Sequence, residues 1–308
     1  MGKIAFLFSG QGSQYPGMMK DFYENCAESR AVFDTADHIL NRKISALCFE
    51  GQQEELNLTH NTQPCVLTAS IAALKALENK GVRADYTAGF SLGEYAALVY
   101  AGVIPFEEAV RLIQVRADAM QAAVPIGQGG MIAILGKSAE EVDSLCEEVP
   151  GFVKGANYNC PGQIVVSGET SALEQLKAIG LERKIKMIPL ASSAPFHSEK
   201  MAPAAETLKK EFEKIAFADP TVPVVMNVDA QPETDPVQMK EKLVRQAMAP
   251  VYWEKTLLRL AELGVNTFIE IGPGKTLSGF VKKTCKGSKI LRVENEATLL
   301  ETMDALEK

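Results

Sequence analysis

A serine with a glycine two residues to either side, a histidine downstream of it and an arginine on the apolar face of a helix are the groups in this chain that could do chemistry. Ser91 lies in "TAGFSLGEYAAL", Thr87 to Leu98, and fits the pattern G-x-S-x-G with Gly89 and Gly93. In that pattern the serine occupies a strained strand-to-helix turn, and the glycines remove side chains that would clash there. The flanks agree, with "DYTAG" reading as a buried strand and "GEYAALVYAG" as a helix, so the hydroxyl is aimed outward at a helix N-terminus. Glycine-flanked serines also occur in plain turns, so the pattern alone does not decide.

A serine hydroxyl is a poor nucleophile near neutral pH and needs a base within hydrogen-bond reach, most often histidine. The chain has three. His38, in the helical "FDTADHIL", and His60, in the turn "LTHNTQ", read as surface or capping residues. His197 stands in "SSAPFHSEKM", before a helix, and follows the serine in the chain order of nucleophile-elbow enzymes. No Asp or Glu is singled out to fix its tautomer, and a backbone carbonyl could do that work, so a dyad and a triad both remain open.

"PFEEAVRLIQVRADAMQ" reads as a helix with Pro105 near its first turn and an apolar stripe of Ala109, Leu112, Ile113 and Met120. Arg116 falls on that stripe, whereas Arg111 stands four residues after Glu107 and can pair with it at the surface. A guanidinium directed inward must meet an anion, because burying it unpaired is very costly. That anion is either an internal carboxylate or the free carboxylate of a substrate, gripped bidentately.

The elements that must position these groups read as α/β. "KIAFLF" is a short buried strand ended by the glycine-rich loop "SGQGSQ", with a helical stretch from about Pro16, and "NTQPCVLTASIAALKALENKG" starts with polar turn residues and continues as a small-residue helix. From Gly130 to Leu190 the order is strand, helix, strand, strand, helix, strand, that of a ferredoxin-like subdomain. Both of its helices carry capping-box spacing, Ser138 with Glu141 and Ser171 with Glu174. "PVVMNV" and "TFIEIG" add strands, and helices are expected near 199–215, 236–247 and 252–263. The expected architecture is a large α/β-hydrolase-like domain over 1–125 and 194–308, interrupted by the ferredoxin-like α+β subdomain over 126–193.

Bulk composition narrows the function classes. With 308 residues, 46% hydrophobic and 23% charged, the chain is an ordinary globular domain or pair of domains. Its net charge of -7 implies no general attraction to nucleic acid or anionic lipid. Six cysteines show no CxxC pair and no metal-ligand spacing with the histidines, which reads as reduced thiols in the cytoplasm. The N-terminal apolar run is too short for a signal peptide or a membrane span. "GPGKT" lacks the first glycine of a P-loop, whose place Ile269 takes, which excludes nucleotide hydrolysis by that motif.

Nine segments, in order, resemble the malonyl-CoA:acyl-carrier-protein transacylases of fatty acid synthesis and the related acyltransferase domains of polyketide synthases. They are "FLFSGQGSQYPGM", "TQPCVLTAS", "GFSLGEYAAL", "VRADAMQ", "GGMIAILG", "NYNCPGQIVVSG", "APFHSEKM", "QAMAPVYW" and "IEIGPGKTLSG". The resemblance implies that Ser91 is acylated, that His197 is its base and acid, and that Arg116 holds the malonyl carboxylate. It implies oxyanion amides from Gln11 and Leu92, a main-chain carbonyl of Gln246 that orients His197, and Asn159 near the cleft. Phe196 resembles malonyl-selective members, where a bulky ring crowds an α-methyl branch. Phe90 departs from the family, which usually has histidine before the nucleophile.

The activity implied is a ping-pong transfer of malonyl from malonyl-CoA to the phosphopantetheine thiol of acyl carrier protein, with no metal and no bound cofactor. No nucleic acid or membrane partner is expected, and a monomer is the default. Basic residues in "ERKIKM" and "VKKTCKGSK" could face an acidic carrier protein or simply solvent. The alternatives are the same transfer in a polyketide pathway, a serine thioesterase and a non-catalytic carrier-binding module.

Overall fold

In a computed structural model, which describes residues 2–125, 127–192 and 194–307, the chain builds two sheets. The larger one contains β1 (Lys3–Phe8), β2 (Tyr86–Gly89), β7 (Val224–Val225), β8 (Pro232–Glu233), β9 (Val265–Ile271) and β10 (Lys289–Val293), in the order β10-β9-β1-β2-β7-β8. It is parallel from β10 to β7, and only β8 runs antiparallel. The smaller one comprises β3 (Gly129–Leu135), β4 (Val153–Cys160), β5 (Gln163–Glu169) and β6 (Lys186–Pro189), all antiparallel, in the order β4-β5-β3-β6. With helices Ala139–Glu147 and Thr170–Glu182 between its strands, that order is ferredoxin-like. The expected boundary positions 126 and 193 themselves lie outside the described residues.

The central strand shows why this sequence makes a buried parallel sheet. Phe6 and Phe8 point to one face of β1 and enter the main core, with the long helix Thr59–Glu78 and the helices Phe106–Ala122 and Ala202–Glu213. Ala5 and Leu7 point to the other, where they meet Trp253, Leu257 and Phe280 of the helices Trp253–Glu262 and Thr276–Thr284. Both faces are covered, so the strand reads as a continuous apolar run instead of an alternation. In β3 the same two-residue period divides labour differently. Ile132 and Ile134 pack under the two ferredoxin-like helices, while Met131 and Ala133 face Met120 and Phe196.

Several local expectations change. Helix Thr59–Glu78 begins before "NTQP" and carries Pro64 inside it, so His60 is helical, not in a turn. Proline cannot donate to the carbonyl four residues back. The freed His60 carbonyl accepts instead from Gln114 Nε2 at 3.3 Å and from Arg42 Nη1 at 3.4 Å. Ser138 and Glu141 form the expected capping box, but Ser171 lies inside its helix, which starts at Thr170 with no side-chain cap. There β5 pairs with β3 up to Glu169, and the Thr170 amide donates to the Gln128 carbonyl at 3.3 Å, so main chain does the capping. Arg111 pairs with Glu108 at 3.0 Å, not with Glu107. "PVVMNV" shrinks to Val224–Val225, because the Asn227 amide leaves the ladder for the Glu94 carboxylate. The helical stretch expected from Pro16 starts at Lys20, after Met19 in the left-handed region.

Candidate active site

β2 ends at Gly89 and the helix Gly93–Tyr100 begins four residues on, which forces the turn between them. Ser91 holds it with φ 54°, a left-handed conformation rare for a residue with a side chain. The flanking glycines are sterically required. A Cβ on Gly89 would stand 1.9 Å from the carbonyl carbon and oxygen of Gly93, and one on Gly93 would stand 2.3 Å from the Phe8 oxygen. Such strain, of about 1–3 kcal/mol, persists only where surrounding contacts over-determine it.

Those contacts come from two amide side chains. Asn227 accepts from the Ser91 N–H at 2.8 Å and donates to the Gly89 carbonyl at 2.8 Å. Gln246 Nε2 donates to the Ser91 carbonyl at 2.7 Å. Both are in turn tied to Glu94, which accepts from the Asn227 N–H through Oε1 and from Gln246 Nε2 through Oε2 at 2.7 Å. Asn227→Ala leaves the Ser91 amide and the Gly89 carbonyl buried without partners, and a loss of roughly 2–4 kcal/mol in unfolding free energy is expected. A chemical denaturation midpoint close to that of the parent protein would contradict this.

Ser91 Oγ lies 2.7 Å from His197 Nε2, and His197 Nδ1 lies 2.8 Å from the main-chain oxygen of Gln246. The carbonyl can only accept, so Nδ1 carries the proton and Nε2 is left as the acceptor for the serine O–H. The choice between dyad and triad is thereby decided for a dyad oriented by main chain. His197 also has a positive φ, 56°, and sits in a loop held by the Ser198 hydroxyl on the Pro195 carbonyl at 2.6 Å. His38 is exposed and His60 half-buried, both away from this cluster.

Arg116 is 1% exposed. Its Nη2 donates to Ser91 Oγ at 3.1 Å and to Gln246 Oε1 at 3.0 Å, and its Nη1 donates to Gln63 Oε1 at 2.6 Å. Among the described residues no carboxylate comes within 4.0 Å of the guanidinium. Among the described residues its Nε has no hydrogen-bond partner, and the guanidinium carbon lies 5.7 Å from the centre of the Tyr95 ring. A buried cation held by neutral amides is therefore poised to receive an anion beside the serine.

Burial pushes the His197 imidazole down to about 4, and the Arg116 charge pushes the same way against the hydrogen bond to Gln246. The ring is thus neutral and able to accept a proton at any pH above that value. The acid limb of kcat/KM for acylation of the free protein is expected near pH 4, well below the ordinary histidine value of 6.5. A limb at or above 6.5 in a pH–rate profile would refute this.

A cavity of about 400 Å³ opens onto these atoms, between the two sheets. Ser91, His197, Arg116, Gln11, Asn159 and Phe196 all line it. Its apolar wall comes from Met120, Met131, Ala133 and Val165. Gln11 is half-buried in the loop after β1. Leu92 does not line the cavity; its side chain is buried, and it follows Ser91 at the head of the helix. Among the described residues, neither the Gln11 nor the Leu92 amide has an acceptor within the chain. Gln246 lies behind the serine, outside the cavity lining, and Asn159 is buried with Oδ1 unpartnered among the described residues. Phe90 packs edge-on against Trp253, ring centres 5.4 Å apart, and also lines the cavity. No group of metal-ligating side chains occurs among the described residues.

Sequence reasoning missed Gln63, Glu94 and Asn227. Glu94 carried a legible signal, a carboxylate in a helix that is otherwise apolar and aromatic, "GEYAALVY". Gln63 stood in a segment already singled out. Asn227 had no signal, because its partners are main-chain atoms of Gly89 and Ser91, far away in sequence.

Comparison with known proteins extends these observations. The acyl transferase domain family matches residues 5–304. Malonyl CoA-acyl carrier protein transacylase of Bacillus subtilis (strain 168) is 47% identical over 303 residues, spanning 97% of this chain and 96% of the relative. The crystal structure of malonyl CoA-acyl carrier protein transacylase from Clostridium perfringens Atcc 13124 superposes with a TM-score of 0.95 at 43% identity, covering 99% of this chain and 97% of that one. A malonyl-transacylase solved in complex with a type II PKS acyl-carrier protein gives a TM-score of 0.95 at 39% identity, covering 98% and 99%. With an elbow serine, a carbonyl-oriented histidine and a buried arginine in one cleft, and likeness from end to end, the chain belongs to the acyl transferase domain family, among its malonyl CoA-acyl carrier protein transacylases.

Proposed function

We propose that the protein transfers the malonyl group of malonyl-CoA to the phosphopantetheine thiol of acyl carrier protein in fatty acid biosynthesis, through an ester on Ser91. What supports this most is the buried Arg116 guanidinium, 3.1 Å from Ser91 Oγ and without a carboxylate partner. It offers a site for the free carboxylate that distinguishes malonyl from simple acyl groups. His197 Nε2 takes the Ser91 proton as Oγ attacks the thioester carbon, and the amides of Gln11 and Leu92 receive the oxyanion. As the C–S bond breaks, His197 returns the proton to the departing CoA sulfur. In the second half, His197 takes the proton of the carrier thiol, sulfur attacks the ester, and Ser91 Oγ leaves with that proton.

Asn159 and Phe196 line the space around the acyl chain, and the Phe196 ring is read as crowding an α-methyl branch. The cycle calls on no metal or bound cofactor, and all its groups come from one chain, so the working unit is read as a monomer. No helix among the described residues is long and apolar enough to cross a membrane, and the six cysteines are free thiols, which suits the cytoplasm. Exposed Lys282, Lys283 and Lys286 continue from the helix whose Thr276, Leu277 and Phe280 line the cavity, a placement suited to an acidic carrier.

Intact-mass measurement after mixing with malonyl-CoA, acetyl-CoA or methylmalonyl-CoA tests the reading. A malonyl adduct that is discharged by carrier thiol much faster than by water is expected. Release of free malonate as fast as transfer would make the protein a thioesterase, and carrier binding without any adduct would make it a binding module. Parallel assays with fatty acid and polyketide carriers identify the acceptor.

A further inference from the structure

Glu94 is fully buried in the first turn of the helix after Ser91, and the reaction above makes no use of it. Both its oxygens accept from amide N–H groups, Oε1 from the Asn227 main chain and Oε2 from Gln246 Nε2. Burial pushes its carboxyl up to about 8, while the hydrogen bonds from Asn227 and Gln246 and the Arg116 charge pull the other way, toward the ionised form. The Gln246 amide cannot be turned the other way, because its Oε1 faces Arg116, which has only donors. The result is a line of hydrogen bonds from Glu94 through the Gln246 amide to the Arg116 guanidinium. A buried acidic group and a buried cation are thus linked through one neutral side chain, with no direct contact between them.

From this arrangement we infer that Glu94 is the positioning residue for malonyl selectivity: through Gln246 it balances and orients Arg116 while leaving the guanidinium free for the substrate carboxylate. The inference rests on the malonyl-transfer reading. Direct contact with Glu94 would neutralise Arg116 and close it to a second carboxylate, whereas no counter-charge at all would leave an isolated buried cation. One intervening amide avoids both. The same amide fixes direction, since Gln246 Nε2 can reach Glu94 Oε2 and the Ser91 carbonyl together only with Oε1 aimed at Nη2 of Arg116.

The decisive experiment is a cycle of Glu94→Gln, Arg116→Ala and the double variant, with malonyl and acetyl loading of Ser91 followed by intact mass and thermal midpoints recorded. A glutamine at 94 presents a donor to one of two donors, turns Gln246 and disturbs Arg116. The ratio of malonyl to acetyl loading is expected to fall about tenfold or more in Glu94→Gln, the order of one lost charged hydrogen bond. It should fall no further when Glu94→Gln is added to Arg116→Ala, and the double variant should lose less thermal stability than the sum of the singles. If Glu94→Gln alone folds too poorly to assay, the double variant is compared with Arg116→Ala, and a midpoint at or above that of Arg116→Ala is expected. Equal losses of malonyl and acetyl loading, additive thermal losses, or a double variant less stable than Arg116→Ala would overturn the inference and leave Glu94 a brace of the turn. Wild-type protein that loads no malonyl would instead overturn the functional reading.

Discussion

Ser91→Ala is expected to abolish the malonyl adduct and to lower carrier malonylation by on the order of 10⁴- to 10⁶-fold, the range found when a nucleophile that acts as a unit with its base is removed. The fold should survive, because the hydroxyl's own contacts, to His197 Nε2 and from Arg116 Nη2, belong to the site, while the main chain of residue 91 keeps its hydrogen bonds to Asn227 and Gln246. Alanine must still hold φ near 54°, which is strained for any residue with a Cβ, so a small drop in thermal midpoint is expected without loss of cooperativity. Intact mass reads the first effect and a thermal scan the second. An adduct that persists in Ser91→Ala would place the nucleophile elsewhere. Each of the six cysteines is a thiol that such a measurement could reveal.

Arg116→Ala is expected to separate two acyl groups that the wild-type site treats differently. Truncating one partner of a buried, hydrogen-bonded charge pair costs about 2–5 kcal/mol, or roughly thirty- to several-thousand-fold in malonyl loading. Acetyl has no carboxylate and should lose only what Arg116 contributes to polarising Ser91 Oγ, the single donor contact at 3.1 Å. Removing the guanidinium also lifts one of the two influences that depress His197. The acid limb for acetyl loading should therefore move upward from about 4 toward 6.5 in the variant. Equal losses for the two substrates, or an unmoved limb, would separate Arg116 from the acyl carboxylate.

The sequence made the groups of the site legible and left the ties between them hidden, for physical reasons. Ser91 announces itself because the turn cannot be built without glycine at 89 and 93, and steric need writes itself into composition. Arg116 is legible because a cation breaks an otherwise apolar stripe, and burial makes such a break expensive. The orienting carbonyl of Gln246 could be named only by resemblance, since any residue supplies a carbonyl and its place depends on where the helix Pro236–Met248 ends. Elements failed where main chain did what side chains were expected to do. The Ser171 cap was displaced by the Gln128 carbonyl, and "PVVMNV" gave up most of its strand so that Asn227 could serve Glu94 and Ser91. The final strand Lys289–Val293 and helix Glu296–Glu307 were missed for lack of a clear period, as the strand is buried only at Val293.

The turn around Ser91 and the loop after β1 meet backbone to backbone. A Cβ on Gly10 would stand 2.6 Å from the Phe90 oxygen, one on Gly93 would stand 2.8 Å from the Ser9 oxygen, and the Phe90 amide already donates to the Phe8 carbonyl at 3.0 Å. The Phe90 side chain closes on the same point, its Cδ1 2.7 Å from where a Cβ on Gly10 would stand. Such close packing leaves the two segments little room to part, so the start of the loop that carries Gln11 is held to the turn that carries Leu92 like a hinge pin in its sleeve.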